Sequence, residues 1–345
     1  MPGSTDTATA ALRRAVYYLD RSLAPAPKVK AFRTAIGVVG GLSDDDLDAH
    51  LRAGTLTDLD GIGPSTGAVI TDACNGTGET DGYLAKLEKS TRLDVGEGAA
   101  MRELLKGDCH LHSTWSDGGA SIEEMARAAI ALGHDYIVMT DHSPRLTIAH
   151  GLTPERLAAQ HEEIERVNET LAAEHPGFRI LRGVEVDILE DGTLDHADEV
   201  LADLDIVVAS VHSKLKMPAE DMTRRMVMAV ANPHVDILGH CTGRQIVGTP
   251  RAPSAFDAEI VFAACARFDT AVEINCRPER QDPPDELLEL ALDWECKVSI
   301  DTDAHAPGQL EWQWSGCDKA VRHGIDPAQI VNTRSADELL AWARS

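Results

Sequence analysis

The chain is poor in aromatic residues and contains no long apolar run. Phe, Trp and Tyr make up 4% of its 345 residues, although 43% of all residues are hydrophobic. A large core must therefore be built mainly from Ala, Val, Leu and Ile. No stretch approaches the roughly 20 apolar residues that span a bilayer, and the N-terminus lacks the basic and apolar segments of a signal peptide. We expect a cytoplasmic protein with no membrane partner.

Paired cysteines and an excess of basic residues are also absent. The seven cysteines form no Cys-x-x-Cys pair, and an odd, dispersed set is typical of reduced thiols rather than of a disulfide framework. The net charge is −25. An acidic surface disfavours nonspecific nucleic-acid binding, because contacts to the phosphate backbone dominate that affinity. Bound divalent cations would offset part of this acidity.

From Gly107 onward, short apolar runs alternate with amphipathic ones. The pattern predicts seven strands, near 107–111, 135–141, 179–188, 204–211, 235–239, 270–275 and 297–302. Helices are predicted between them, for example Ser121 to Leu132, Pro154 to His175, Ala219 to Ala231, Ala255 to Phe268 and Asp285 to Glu295. This alternation indicates an α/β fold, either a parallel barrel or a doubly wound sheet.

Histidines and carboxylates recur where these predicted strands end. His110 and His112 are two residues apart, so that on a strand their side chains point to the same face. The other predicted strands carry or are followed by Asp141-His142, Glu185, His212, His240, Glu273 and Asp303-Ala304-His305. In a barrel these ends meet on one face, where the chemistry of such folds lies. A single histidine is more often a core or surface residue, but this joint placement predicts a multi-metal site.

The same motifs resemble the PHP (polymerase and histidinol phosphatase) family of metal-dependent phosphoesterases. The resemblance covers roughly residues 107–335 and implies a distorted seven-stranded (β/α)7 TIM-like barrel. It also implies three divalent metal ions, of which the first has the catalytic ligands His110, His112, Glu185 and Asp303. Glu185 would bridge to a second ion bound by His212 and His240, and Asp117, His142 and His305 would bind the third. Imidazole and carboxylate ligands suit Zn²⁺, Mn²⁺ or Fe²⁺.

Basic residues that follow the strand ends are candidate ligands of substrate phosphate. They are Lys214, Arg244 and Arg277, and surface ion pairing is the alternative for each. Asn275 is expected to support the ligands or to contact substrate, and Asp141, beside His142, is expected to orient a ligand. From Gly107 onward no Gly-x-Ser-x-Gly motif is present, so the expected nucleophile is water activated by metal ions.

Residues 1–95 form a separate predicted domain, joined by a linker over 96–106 to the phosphoesterase domain at 107–345. Its predicted helices include Ala11 to Leu23 and Val29 to Val39. A Gly-Ile-Gly turn then precedes another helix, and the backbone N–H groups of such a turn suit a phosphate. The segment resembles the helix-hairpin-helix module of family X DNA polymerases, with candidate DNA contacts Lys28, Lys30, Arg33, Gly61, Gly63, Ser65 and Thr66.

The two resemblances together imply an enzyme that acts on DNA. The motifs after His240 are similar to those of the PHP domain of bacterial family X polymerases, but the sequence leaves no room for a polymerase palm between the two domains. The resemblance implies 3′–5′ exonuclease action, abasic-site processing, or both. One alternative is a histidinol-phosphatase-type enzyme acting on a small phosphorylated substrate, and another is a DNA-binding scaffold with a non-catalytic barrel. Residue patterns do not distinguish the native metal, the cleavage polarity, DNA from RNA, a lyase role of Lys28 or Lys30, or the oligomeric state.

Overall fold

The computed structural model describes residues 2–344, which divide into two compact units. One unit comprises the described residues up to Leu93 together with Pro307–Gln309, and the other comprises Asp94–Ala306 and the described residues from Leu310 on. Within residues 2–344, no helix has both the length and the apolar character that crossing a bilayer demands.

The first unit is all-helical. Its five α-helices are α1 (Ser4–Arg21), α2 (Ala26–Gly40), α3 (Asp44–Ala53), α4 (Pro64–Asn75) and α5 (Tyr83–Ser90). They enclose a small core that includes Leu12, Leu19, Phe32, Leu47 and Ile70. Helix α1 starts seven residues before its predicted start, because the Asp44 carboxylate accepts hydrogen bonds from the backbone N–H of Thr5 at 2.9 Å and from its hydroxyl at 2.6 Å. Such a cap from a distant residue leaves no local periodicity.

The second unit is built on seven parallel strands. They are β1 (Gly107–Leu111), β2 (Tyr136–Met139), β3 (Arg179–Asp187), β4 (Ile206–Ser210), β5 (Ile237–Leu238), β6 (Ala271–Asn275) and β7 (Val298–Asp301). Each predicted strand is confirmed. The strands pair in sequence order, and the residues after β1 and β7 meet where the N–H of His112 donates to the carbonyl of Ala304 at 2.8 Å. The fold is therefore a nearly closed barrel, and the doubly wound alternative is wrong.

Nine α-helices belong to the same unit. They are α6 (Ala99–Leu104), α7 (Ile122–Ala131), α8 (Pro154–Glu174), α9 (Asp198–Leu201), α10 (Ala219–Val230), α11 (Ala258–Phe268), α12 (Asp285–Asp293), α13 (Gln313–Arg322) and α14 (Ala336–Ala343). Short 3₁₀ turns lie at Leu56–Asp58, Thr147–Ala149, Pro307–Trp312, Pro327–Gln329 and Val331–Thr333. Local chemistry sets several helix starts: the Ser121 hydroxyl accepts from the Glu124 N–H while the Glu124 carboxylate accepts from the Ser121 N–H, which is a capping box before α7.

The strands are buried on both faces, as expected where helices cover a parallel sheet. Every residue of β1, β2, β4, β5, β6 and β7 is buried. Aliphatic residues such as Val184, Val207 and Leu238 fill the space between sheet and helices. The candidate ligands, most of them buried, lie instead at or just after the ends of the strands, and this placement brings them together.

Candidate metal centre

The ends of the strands bring all nine predicted ligands to one face of the barrel. His110 lies in β1 and His112 directly after it, with ring centroids 5.3 Å apart. Both side chains are fully buried. Strand β3 contributes Glu185, and the remaining ligands follow β1, β2, β4, β5 and β7: Asp117, His142, His212, His240, Asp303 and His305.

Glu185 occupies the middle of the cluster. Its Oε1 lies 2.9 Å from Nε2 of His240 and 3.1 Å from Nε2 of His212. Its Oε2 lies 2.8 Å from Nδ1 of His142 and 3.3 Å from Nε2 of His110. Nε2 of His112 lies 3.6 Å from the same Oε2. One carboxylate thus faces five imidazoles, two on Oε1 and three on Oε2, as the predicted bridging position requires.

The second part of the cluster is centred on His112. Its Nε2 lies 3.4 Å from Oδ1 of Asp303, and its ring is 4.4 Å from that of His142 and 4.3 Å from that of His305. Oδ1 of Asp117 lies 3.3 Å from Nε2 of His305 and 3.6 Å from Nε2 of His142. Asp117 is the most exposed ligand, with 36% of its side chain accessible.

The groups of neighbouring ligand atoms in the structure share more residues with one another than the three predicted ligand sets do. Ligand atoms within 4.8 Å of one another form four groups: His112, Asp117, His142 and His305; His110, Glu185 and His240; His110, His112 and Asp303; and His142, Glu185 and His212. His112 therefore joins the group predicted for the third ion, and His142 also faces Glu185.

Burial and charges within the cluster strongly shift the pKa values of its side chains. Burial favours the neutral form of Glu185, but His212 and His110 outweigh it and hold its pKa well below the usual range. Burial, reinforced by His305 and His142, lowers the pKa of His112 to about 3. Burial also opposes protonation of His212, yet Glu185 and Asp187 raise its pKa to about 9. The deprotonated carboxylate and the neutral His112 ring are in the forms that coordinate metals.

Unsatisfied polar atoms indicate that cations fit this cluster. Buried Nε2 of His110, both ring nitrogens of His112, Nε2 of His212 and Oε2 of Glu185 make no hydrogen bond within residues 2–344. Several of these atoms lie close to a nitrogen or oxygen atom of a neighbouring ligand residue, but at angles unsuited to hydrogen bonding. A buried polar atom without a partner costs about 1–3 kcal/mol. Lone pairs that converge in this way are what a divalent cation needs, so the donor set fits divalent metal ions.

Two carboxylates outside the predicted ligand set hold the ligand rings in place. Nδ1 of His110 donates to Oε1 of Glu273 at 2.6 Å, and Nδ1 of His212 donates to Oδ1 of Asp187 at 3.2 Å. Each bond turns Nε2 towards Glu185, which is how carboxylates orient metal-binding histidines. Neither role was predicted from the sequence, although each residue lies two positions from another polar residue on its strand, and this spacing is a usable signal.

Asp141 acts on the loop after β1 rather than on its neighbour His142. Its carboxylate accepts from the backbone N–H of Ser113 at 2.8 Å and from that of Ser116 at 3.2 Å. It also accepts from the Ser113 hydroxyl at 2.6 Å. Asp117 follows directly in this loop, so Asp141 helps to place a ligand through the backbone.

Four arginines line the cavity above the ligands. The cavity has a volume of about 270 Å³, and its lining includes Arg244, Arg251, Arg277 and Arg280. Nη1 of Arg277 lies 2.9 Å from Nδ1 of His305, and Nε of Arg280 lies 3.2 Å from Oδ2 of Asp303. Arg244 and Arg277 were predicted from the sequence. Arg251 and Arg280 were missed, because they lie farther from the ends of β5 and β6 than Arg244 and Arg277 do.

Lys214 is not brought to this cavity. Its side chain is 62% exposed and lies 4.0 Å from Glu190, outside the described lining of the cavity. This placement matches the alternative prediction for Lys214, that it forms an ion pair at the surface.

In the helical unit, the seven candidate DNA contacts are divided. Lys28, Lys30 and Ser65 are exposed. Gly61 has a positive φ of 91° and Gly63 is the N-cap of α4, which gives the expected tight turn before a helix. The other two side chains have structural partners: Arg33 pairs with Asp20 at 3.2 Å, and Thr66 is buried and exchanges hydrogen bonds with the backbone of Gly63.

Comparison with known proteins agrees with this geometry. Residues 108–247 match the PHP domain. A probable phosphatase of Thermoanaerobacter sp. (strain X514) is 34% identical over 66% of this chain and 89% of its own length. This chain belongs to the PHP-domain family. It is a metal-dependent phosphoester hydrolase.

Other similar proteins differ in length and name. The DNA polymerase/3′-5′ exonuclease PolX of Bacillus subtilis (strain 168) is 42% identical over 70% of this PHP protein, and the match spans 41% of the polymerase. The histidinol phosphate phosphatase of Lactococcus lactis, solved with zinc, L-histidinol and phosphate, is 19% identical with a TM-score of 0.44. That comparison covers 63% of this chain and 92% of the phosphatase.

Proposed function

We propose that this PHP protein is a metal-dependent phosphodiesterase that acts on DNA, as a 3′–5′ exonuclease, in abasic-site processing, or in both. The observation that carries the proposal is the cluster of nine ligands around Glu185, beneath a cavity lined by arginines. The choice of DNA is supported by the 42% identity to an enzyme named as a polymerase and exonuclease. The glycine turn of the helical unit supports it independently.

We assign three divalent ions, Zn²⁺, Mn²⁺ or Fe²⁺, to the cluster. His110, His112, Glu185 and Asp303 would hold the first, Glu185, His212 and His240 the second, and Asp117, His142 and His305 the third, with His112 near enough to contribute there. When bound, such ions polarise phosphoryl oxygens and make water acidic enough to supply a nucleophile near neutral pH.

The protein side chains position the scissile phosphate. Arg277 and Arg280 both lie beside Asp303 and project from the loop after β6 at the edge of the ligand cluster. A planar guanidinium donates two parallel hydrogen bonds to phosphate oxygens, so these arginines would hold the phosphate over the cluster. No serine or cysteine nucleophile is needed, because water attacks phosphorus in line with the departing sugar oxygen.

The helical unit would bind the DNA backbone independently of sequence. The N–H groups of Ile62 and Gly63 already donate to Leu59 and Thr66, so the groups that suit a phosphate are those of Ser65 and Thr66 in the first turn of α4. Exposed Lys28 and Lys30 on α2 add positive charge. Both features would contact the backbone alone, so neither selects a base.

A second candidate function is hydrolysis of a small phosphate monoester. It is favoured by the relatives named as probable phosphatases, since one from Caldanaerobacter subterraneus is 35% identical and matches over 91% of its length. The net charge of −25 also repels a long polyanion. A monoester substrate would leave the glycine turn without a role.

One paired assay tests the proposal. Manganese-loaded protein is given labelled single- and double-stranded DNA, with and without an abasic site, and separately histidinol phosphate and p-nitrophenyl phosphate. His110→Ala is the inactive variant, and His175→Ala at the end of α8 is the matched control. We expect stepwise shortening or nicking of DNA that His110→Ala loses and His175→Ala keeps. Hydrolysis of the monoesters alone would refute the DNA assignment and establish the phosphatase.

A change in the turn tests the role of the helical unit. An added Cβ at Gly63 meets no atom within 4 Å, and the same holds for Gly37 in α2. Gly63→Ala should therefore fold normally and weaken DNA processing by blocking close approach of a phosphate, while p-nitrophenyl phosphate turnover stays unchanged. Gly37→Ala is the matched control. Equal DNA processing by both variants would show that the turn does not contact DNA.

A further inference from the structure

Within the described part of the chain, two of the four cavity arginines have no carboxylate at ion-pair distance. Arg277 and Arg280 lie within 3.5 Å of Asp303 carboxylate oxygens. Arg244 and Arg251 form no ion pair within residues 2–344. Arg244 donates instead to the backbone carbonyl of Arg280 at 2.9 Å and to that of Gln281. The two guanidinium groups are thus fixed by neutral carbonyls, and their charge stays available.

Arg251 is held on a small hairpin at the cavity wall. The backbones of Gln245 and Arg251 exchange two hydrogen bonds of 2.9 Å, and Gly248, at φ 80°, lies in the turn between them. Nε of Arg251 donates to the carbonyl of Gly243 at 2.7 Å. Its two terminal nitrogens make no hydrogen bond within the described chain. Arg251 therefore presents a pre-oriented pair of donors to the cavity.

The charges around Arg251 favour the binding of an anion. Partial burial lowers the pKa of Arg251 and repulsion from Arg280 lowers it further, although Asp282 partly opposes the shift. The cavity carboxylates do not relieve this repulsion, since Asp303 and Glu279 already lie against Arg277. Bringing like charges together costs free energy, which a bound phosphate between them would recover.

We propose that Arg251 and Arg244 form a second anion subsite that binds the phosphate next to the scissile phosphate of a nucleic-acid strand. The inference rests on the proposed function and extends it, because Arg277 and Arg280 already serve the scissile phosphate. A simple monoester has one phosphate and leaves the second subsite empty. A strand supplies two phosphates on neighbouring positions, so the subsite selects polynucleotide over small phosphate esters.

Equilibrium binding tests the subsite without relying on turnover. The full-length, manganese-loaded protein is titrated by calorimetry with hydrolysis-resistant phosphonate analogues of thymidine 5′-monophosphate and thymidine 3′,5′-bisphosphate. A charge-assisted hydrogen bond contributes enough for the bisphosphate analogue to bind about tenfold more tightly. Arg251→Gln should remove this preference. Arg267→Gln, an exposed arginine in the last turn of α11, is the matched control and should keep it.

Two outcomes overturn the inference directly, and a third does so by revealing a general charge effect. One is equal affinity of the two analogues for the unchanged protein. The other is a preference that survives in Arg251→Gln, whose fold is checked by its melting temperature and circular dichroism. Loss of the preference in both Arg251→Gln and Arg267→Gln would point to a general charge effect and would also refute the subsite.

Hydrolysis then separates this inference from the proposed function. Thymidylate dimers contain one phosphodiester and trimers contain two, so the trimer-to-dimer ratio of kcat/KM reports the second phosphate. A ratio of about ten in the unchanged protein that falls towards one in Arg251→Gln supports both the nuclease activity and the second anion subsite. A bisphosphate preference without cleavage of dimer or trimer would keep the subsite, assign it to a small bisphosphorylated ligand rather than a strand, and refute the nuclease. Cleavage with equal ratios in all variants would keep the nuclease and refute the subsite.

Discussion

Replacing Glu273 by glutamine should weaken metal binding without touching a ligand. Glu273 is fully buried. Its Oε1 accepts from Nδ1 of His110 at 2.6 Å, and its Oε2 accepts from the backbone N–H of His240 and from Asn275 at 3.2 Å. A glutamine has only one oxygen, so it can accept from His110 or from His240 but not from both.

The expected loss follows from these contacts. If the amide nitrogen faces His110, the ring loses the acceptor that keeps its Nε2 directed at Glu185. If it faces His240, a buried N–H is left without a partner, at a cost of about 1–3 kcal/mol. Removing a carboxylate that orients a metal-binding histidine typically reduces metal affinity about 10–100-fold. We therefore expect a loss in that range for Glu273→Gln.

Competition with a fluorescent chelator measures this affinity for Mn²⁺ and Zn²⁺ directly. Glu286→Gln, an exposed glutamate in the first turn of α12, is the matched control for the change of charge. The metal-free variants are compared by thermal unfolding to confirm that both fold. A Glu273→Gln protein that folds and binds metal within twofold of the unchanged protein would show that Glu273 does not orient His110.

Three further predictions concern stability. Burial raises the pKa of Asp236 to about 8, so from about pH 4 to 8 the folded state keeps a proton that the unfolded state has lost. Stability should fall with rising pH in that window, and Asp236→Asn, which can still accept from Val207, should flatten the denaturation profile; equal profiles would contradict the shift. Gly61→Ala should destabilise the helical unit by about 1–3 kcal/mol, because φ is 91° and the new Cβ would lie 2.9 Å from Thr34; an unchanged melting temperature would refute this. Phe262→Ala in the barrel core should cost about 3–5 kcal/mol in urea unfolding, and a loss below 1 kcal/mol would mean that the core collapses around the cavity.

Local signals were sufficient for most of the barrel. Strands and helices follow from short apolar runs and helical periodicity, and all seven strands were predicted. Boundaries were less accurate where a distant group decides them. β5 was predicted over 235–239 but contains only Ile237–Leu238, and α1 begins at Ser4 because of Asp44. Both depend on contacts far apart in the chain.

The sequence alone determined which residue types meet at the barrel face. A parallel barrel directs the carboxyl ends of all its strands to one side, so the sequence is enough to group His110, His112, Glu185, His212 and Asp303. Periodicity has no access to partners across the barrel. It could not predict that Glu273 accepts a hydrogen bond from His110 or that Lys214 lies on the surface near Glu190. Nor could it predict that Arg277 forms an ion pair whereas Arg251 does not. Those distinctions depend on distances between side chains of different loops, which only the folded chain sets.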